Sequence, residues 1–261
     1  MIPEVFIENW RKTVPWQMTE QIQQDLMISR ALVDLYSDPH VKNALVFRGG
    51  TALNKLFINP PARYSEDIDF FQKNADPIGQ TIDAIKALLK PWLGDPKWKI
   101  TERSAKLIYK YESVNKIPAK LKIEINTTEH FQVLPLKTVP FSMNSGWFTG
   151  SADIITYEMD ELMATKLRAL YQRRKGRDLF DVWYVADRNL INLDRVFDIF
   201  HQYCNYNDVK ITGEEFLKNL ELKKDHRDFH MDMSVLLPSK LHWNFEEAFQ
   251  FVADNVISRL S

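Results

Sequence analysis

Apolar residues recur at two periods along this chain, and the dominant period changes partway through. Over residues 15–37, Ile22, Leu26, Ile28, Leu32, Val33 and Leu35 return roughly every third or fourth position, which predicts a helix. The run 44–47 is short and continuously apolar, as a buried strand would be. Gly49 and Gly50 end it and Thr51 opens a helical stretch, so the unit reads strand, tight turn, helix. In 63–71, Ile68 and Phe70 alternate with Asp67 and Asp69, which is strand periodicity. Residues 77–93 carry Ile78, Ile82, Ile85, Leu88 and Leu89 at helical spacing, and 106–112 and 119–126 read as two more strands. In the second of these, Leu121, Ile123 and Ile125 face one way, and Lys120, Lys122 and Glu124 the other.

From Glu158 onward helical patterns take over, at 158–175, 177–187, 193–204, 213–220 and 244–259. The segment 137–157 reads as the boundary, dividing the chain into 1–150 and 151–261. No internal repeat or low-complexity tract interrupts either part. The expected fold is α/β (α+β): a mixed-sheet N-terminal domain followed by a helical one.

Composition narrows the function classes. With 261 residues, 45% hydrophobic and 26% charged, the chain has the profile of a soluble globular protein. Its formal charge of -1 gives no global basic field, so any nucleic-acid binding must come from a local patch. Cys204 is the single cysteine, which excludes an intramolecular disulfide and fits a cytoplasmic location. The N-terminus lacks the pattern of a secretory signal, and no apolar run reaches membrane-spanning length, so no membrane association is expected.

The candidate chemistry begins at the glycine pair. Only 8 glycines occur in the chain, and two are adjacent between a strand and a helix. Glycine lets backbone approach a ligand closely, and the first helical turn offers unpaired N–H groups to a phosphate. The Thr51 hydroxyl can add a hydrogen bond or simply cap the helix. A tight turn with a Thr cap explains the same residues. Asp67 and Asp69 lie two apart in a strand, so both carboxylates share a face, about 7 Å apart along the chain. Two like charges there suit a Mg²⁺ ion that also binds phosphate oxygens. A solvated acidic edge strand is the plainer alternative. Glu124 is a possible third carboxylate, as a metal ligand or a base, and a salt bridge to Lys122 or Lys120 explains it equally.

On the helix from Glu158, Lys166 falls inside the apolar face, between Leu162 and Leu170, where it can snorkel to solvent or meet a phosphate. Arg168, Arg173, Arg174, Lys175 and Arg177 form a dense basic stretch, with Asp178 and Asp181 one turn apart beside it. An ion-paired helix corner at Gly176 accounts for part of this. His226-Arg227-Asp228 lacks every companion of a kinase catalytic loop, and His226 with His230 lacks a third metal ligand. Trp183 and Tyr184 are expected to pack the helical core.

In combination, FRGGTALNKLF (47–57), RYSEDIDFF (63–71), LKIEIN (121–126) and ELMATKLRALYQRRKGRDLFDVWYV (161–185) resemble the AbiEii/AbiGii toxin family of nucleotidyltransferases. The match covers roughly residues 20–190. The resemblance implies a polymerase-β-like nucleotidyltransferase core whose helical domain completes the active site. It places Gly49, Gly50, Thr51 and Ser65 on a nucleoside triphosphate, and Asp67, Asp69 and Glu124 on Mg²⁺ or Mn²⁺. Lys166 and Asp181 correspond to later catalytic positions, with Arg177 and Asp178 on the nucleotide. Glu124 departs from the family, which carries Asp there. Transfer to an acceptor such as the 3′ end of tRNA, growth inhibition and a cognate antitoxin are implied in the same way. A protein or small-molecule acceptor, and a catalytically silent nucleotide-binding module, are the competing readings.

Overall fold

Residues 2–260 are described in this computed structural model, and the chain parts into two units after Tyr157. The strands of the first unit are β1 (Leu45–Arg48), β2 (Asp67–Gln72), β3 (Lys97–Ile100), β4 (Ser104–Glu112), β5 (Pro118–Asn126), β6 (Lys137–Asn144) and β7 (Thr149–Thr156). They form one mixed sheet in the order β3-β4-β5-β2-β1-β7-β6. β1 runs antiparallel to β2 and parallel to β7, and β2 runs parallel to β5. The alternation in β4 and β5 has the expected effect: Leu107, Tyr109, Leu121 and Ile123 are fully buried, while Lys106 and Lys122 turn to the opposite, half-exposed face.

Helices α1 (Glu4–Trp10), α2 (Thr19–Tyr36), α3 (Pro39–Ala44), α4 (Gly49–Ala52) and α5 (Gly79–Leu93) complete this unit. Tyr36 of α2 and Phe47 of β1 pack on Phe70 of β2, ring centroids 6.1 and 5.8 Å away. Gln24 of α2 donates to the carbonyls of Glu66 (2.8 Å) and Lys120 (3.0 Å), so one amide ties the entries of β2 and β5 together. Arg30 of α2 lies within 4.8 Å of the ring centres of Trp92, Trp147 and Phe148, fastening the β6–β7 turn to the helix layer.

Two expectations change here. The segment 137–157 is not a boundary but the β6–β7 hairpin, and the division falls at 157/158 rather than 150 because β7 pairs with β1. Its outer strand, β6, is mostly exposed and contains Pro140, so it lacks the apolar alternation that marks a strand. The second edge, β3, has all four residues exposed and was likewise invisible to periodicity.

The second unit contains α6 (Met159–Gln172), α7 (Gly176–Asp187), α8 (Leu193–Tyr206), α9 (Gly213–Lys224), α10 (Arg227–Met231) and α11 (Phe245–Asn255). Leu162, Leu167 and Leu170 of α6 and Val196 and Phe200 of α8 are buried in its core. Thr212 and Glu215 close a capping box at the start of α9. Trp183, Tyr184 and Trp243 pack around buried Phe180 but are themselves half-buried, so Trp183 and Tyr184 lie at the rim of the helical core rather than inside it. Among the described residues no helix is long and apolar enough to cross a membrane.

Candidate active site

The antiparallel register sets Arg48, the residue before the glycine pair, opposite Asp69. Gly49 then adopts φ +81°, a left-handed backbone that L side chains rarely take. A Cβ built on it would sit 2.7 Å from Asp69 Oδ2. The turn and the Asp-x-Asp strand therefore touch, and only the absence of a side chain at 49 allows it. Gly50 is required for another reason: a Cβ there would lie 2.2 Å from Nη2 of Arg63, whose side chain is buried beneath the turn. Asn54 fixes the same loop, donating to the Gly50 carbonyl (3.0 Å) and accepting from the amides of Ala62 (3.0 Å) and Arg63 (3.1 Å).

Thr51 is 1% exposed and its hydroxyl points inward. It donates to the Asp67 carbonyl and is hydrogen-bonded to the Ser65 hydroxyl at 2.8 Å. Thr51 and Ser65 thus staple the turn to the segment entering β2. Behind them, Lys55 pairs with buried Asp25 at 2.8 Å, and Asp25 also accepts from the indoles of Trp10 (2.8 Å) and Trp16 (3.0 Å).

Parallel pairing of β2 with β5 places Glu124 beside Asp69 and Lys122 beside Asp67, so the three predicted carboxylates share one sheet face. Lys122 Nζ stands 2.8 Å from Asp67 Oδ2 and 3.3 Å from Glu124 Oε2, and Lys106 Nζ stands 2.9 Å from Glu124 Oε1. Burial opposes the charge of Glu124, yet Lys106 and Lys122 outweigh it and hold the carboxyl below its ordinary value. Burial likewise works against the Lys122 ammonium, and Asp67, Glu124 and Asp69 outweigh it, so its pKa is raised. Arg48 Nη1 reaches Glu129 Oε2 at 3.3 Å.

Among the described residues, no group of three or more His, Cys, Asp or Glu side chains is arranged to hold a metal by itself. Asp67 and Asp69 are nevertheless hard oxygen donors on one face, half-exposed, against a backbone stripped of Cβ. That set fits Mg²⁺ or Mn²⁺ shared with phosphate oxygens, since Mg²⁺ usually takes only one or two carboxylates from protein.

The second unit gathers the later candidates separately. Lys166 Nζ lies 2.9 Å from Asp181 Oδ2 and 3.3 Å from Asp178 Oδ1, and all three side chains are at most 6% exposed. Arg173 adds two bonds to Asp178, at 2.6 and 2.9 Å. Lys166 thus neither snorkels nor sits alone; it is the centre of a buried ionic cluster joining α6 to α7. Arg177 is held elsewhere, clamped to Asp232 by its backbone amide and both ends of its guanidinium at 2.8–2.9 Å.

Sequence reading does not single out Arg48, Arg63 or Lys106, and it names Lys122 only as one of two possible partners of Glu124, a pairing that the structure contains at 3.3 Å. Arg48 and Lys122 adjoin motif residues, but only strand register shows that they meet Asp69 and Asp67. Arg63 opens the 63–71 segment, but nothing in its spacing shows that its guanidinium lies against Gly50.

The family model for the AbiEii nucleotidyl transferase toxin of type IV toxin–antitoxin systems matches residues 30–251. No curated protein matches the chain. Among solved structures, the nucleotidyltransferase toxin MenT4 of Mycobacterium tuberculosis H37Rv is similar at a TM-score of 0.69 and 16% identity, over 100% of this chain and 91% of MenT4. JHP933 from Helicobacter pylori is similar at a TM-score of 0.57 and 18% identity, over 90% of this chain and 89% of its own. At these identities the likeness is one of fold.

Proposed function

This chain belongs to the AbiEii nucleotidyltransferase toxin family, and on that premise we propose that it transfers a nucleoside monophosphate from a triphosphate to a hydroxyl of RNA, with tRNA as the acceptor. The contact between the Gly49–Gly50 turn and Asp69 carries the reading, because it sets half-exposed carboxylates against close-approach backbone. Asp67 and Asp69 would hold Mg²⁺ or Mn²⁺; when bound, the ion neutralises and orients the triphosphate. The turn's backbone takes the phosphates, while Thr51 and Ser65 hold it in register with β2. The acceptor hydroxyl attacks the α-phosphorus in line and pyrophosphate leaves, so positioning and electrostatics supply the catalysis. Glu124, with its pKa lowered by two lysines, is a weak base. Its role is to position Lys106 and Lys122 beside the Asp pair. Growth inhibition, relieved by a cognate antitoxin, follows from the family.

The test incubates purified protein with labelled nucleoside triphosphates, total tRNA and Mg²⁺. Label should enter tRNA, and Asp67→Ala with Asp69→Ala should lower the rate by on the order of 10²–10³-fold without changing the melting temperature. Absence of transfer, or equal transfer by the double variant, defeats the proposal. Protein extract and aminoglycosides in parallel reactions identify a different acceptor.

A further inference from the structure

The face of β3, β4 and β5 that continues from Asp67 and Asp69 carries Lys97, Lys99, Lys106, Lys110, Lys120 and Lys122. Its carboxylates on these strands are Glu124, already between two lysines, and Glu112 at the far end. The chain as a whole is at -1, so this is a local concentration of positive charge. Two cross-strand pairs are lysine against lysine, Lys99 opposite Lys106 and Lys110 opposite Lys120. Like charges directly opposite one another destabilise a sheet. Among the described residues, Lys97, Lys99, Lys110 and Lys120 make no ion pair that would relieve it. Lysine on an edge strand guards against aggregation, and that accounts for Lys97 and Lys99 on β3. It does not account for Lys106, Lys110, Lys120 and Lys122, which lie on interior strands. A row of the sheet runs Lys99, Lys106, Glu124, Asp69, so the patch begins at the Asp pair and extends about 14 Å across three strand spacings.

We propose that this lysine face is the track on which the phosphate backbone of the acceptor RNA lies, its terminal hydroxyl delivered to Asp67 and Asp69. The inference rests on the reading of RNA as acceptor and names the surface that receives it. Charge complementarity selects the occupant: a polyanion pairs with four lysines that have no carboxylate of their own.

The experiment measures anisotropy of a labelled RNA hairpin with a single-stranded 3′ end over a salt series. The test variant is Lys99→Gln/Lys110→Gln/Lys120→Gln, which leaves the residues touching Asp67 and Glu124 intact. The control is Lys12→Gln/Lys73→Gln/Lys218→Gln, at exposed positions elsewhere. The test variant should bind at least tenfold more weakly at low salt. Its log–log salt slope should be flatter by about two, three contacts at ~0.7 each for a single strand. Its melting temperature should stay unchanged, and in the transfer assay its KM for RNA should rise with kcat held. RNA binding indifferent to the three lysines overturns the proposal. So does equal binding of polyglutamate, which would point to an acidic protein, or binding of anionic vesicles in place of RNA. If the lysines govern RNA binding but no label is ever transferred, the track stands and the transferase reading falls. If transfer occurs and the triple variant matches wild type, the reverse holds.

Discussion

Gly49 and Asp69 show how one residue can be specified by another 20 positions away. Gly49→Ala combines a left-handed backbone, costing about 1–2 kcal/mol, with a methyl 2.7 Å from a carboxylate oxygen. We expect a fall in unfolding free energy of that size, read by chemical denaturation. Transfer should drop much further than stability alone explains, since Asp69 must move. Lys223 offers a test of a different kind. It donates to the carbonyls of Leu170 and Tyr171 at the end of α6, the latter at 2.6 Å. Burial pushes its pKa down to about 8, against the opposing pull of Asp178. The folded state therefore disfavours the charged amine. That penalty is fully present below about pH 8 and fades as pH rises toward the unfolded value near 10.5. The stability of wild type relative to Lys223→Met should thus increase between pH 8 and about 10.5, measured by denaturant midpoints.

At the level of elements, α6 and α7 are joined through charge. Lys166→Ala would leave Asp178 and Asp181 short of their shared cation in a buried setting. Such a change typically costs about 3–5 kcal/mol, which denaturant unfolding would register. Lys166→Met with Asp178→Asn and Asp181→Asn should recover most of that loss. Its transfer rate then tests the cluster as a unit: a purely structural Lys166–Asp178–Asp181 cluster leaves the rate near wild type, whereas one that takes part in transfer does not. Helices were the most legible elements, because α2, α5 and α8 each bury a long apolar stripe. The strands β4, β5 and β2 were legible for the matching reason, their two-residue alternation. The edges β3 and β6 were not. An exposed edge strand has no inside to keep apolar, and hydrogen bonding to a neighbour leaves no mark on composition.

Across the whole molecule, sequence reading anticipated which candidate residues the fold gathers better than what surrounds them. Gly49, Gly50, Asp67, Asp69 and Glu124 do converge, because motif order along the chain follows the strand–turn–helix path. What escaped was pairing across strands: Lys106 on Glu124, Lys122 on Asp67 and Arg48 beside Asp69 all depend on register. Register is a long-range property that local periodicity does not encode. The contact of Arg63 with position 50 lies beyond such reading altogether. The arginine's guanidinium fills the volume that any side chain at position 50 would need. Positions 50 and 63 are consequently coupled: a side chain at the former needs the Arg63 guanidinium to give way, so Gly50→Ala and Arg63→Ala should have non-additive effects on stability. An arginine thirteen residues away thus restricts the space at the turn's glycine as much as any ligand would.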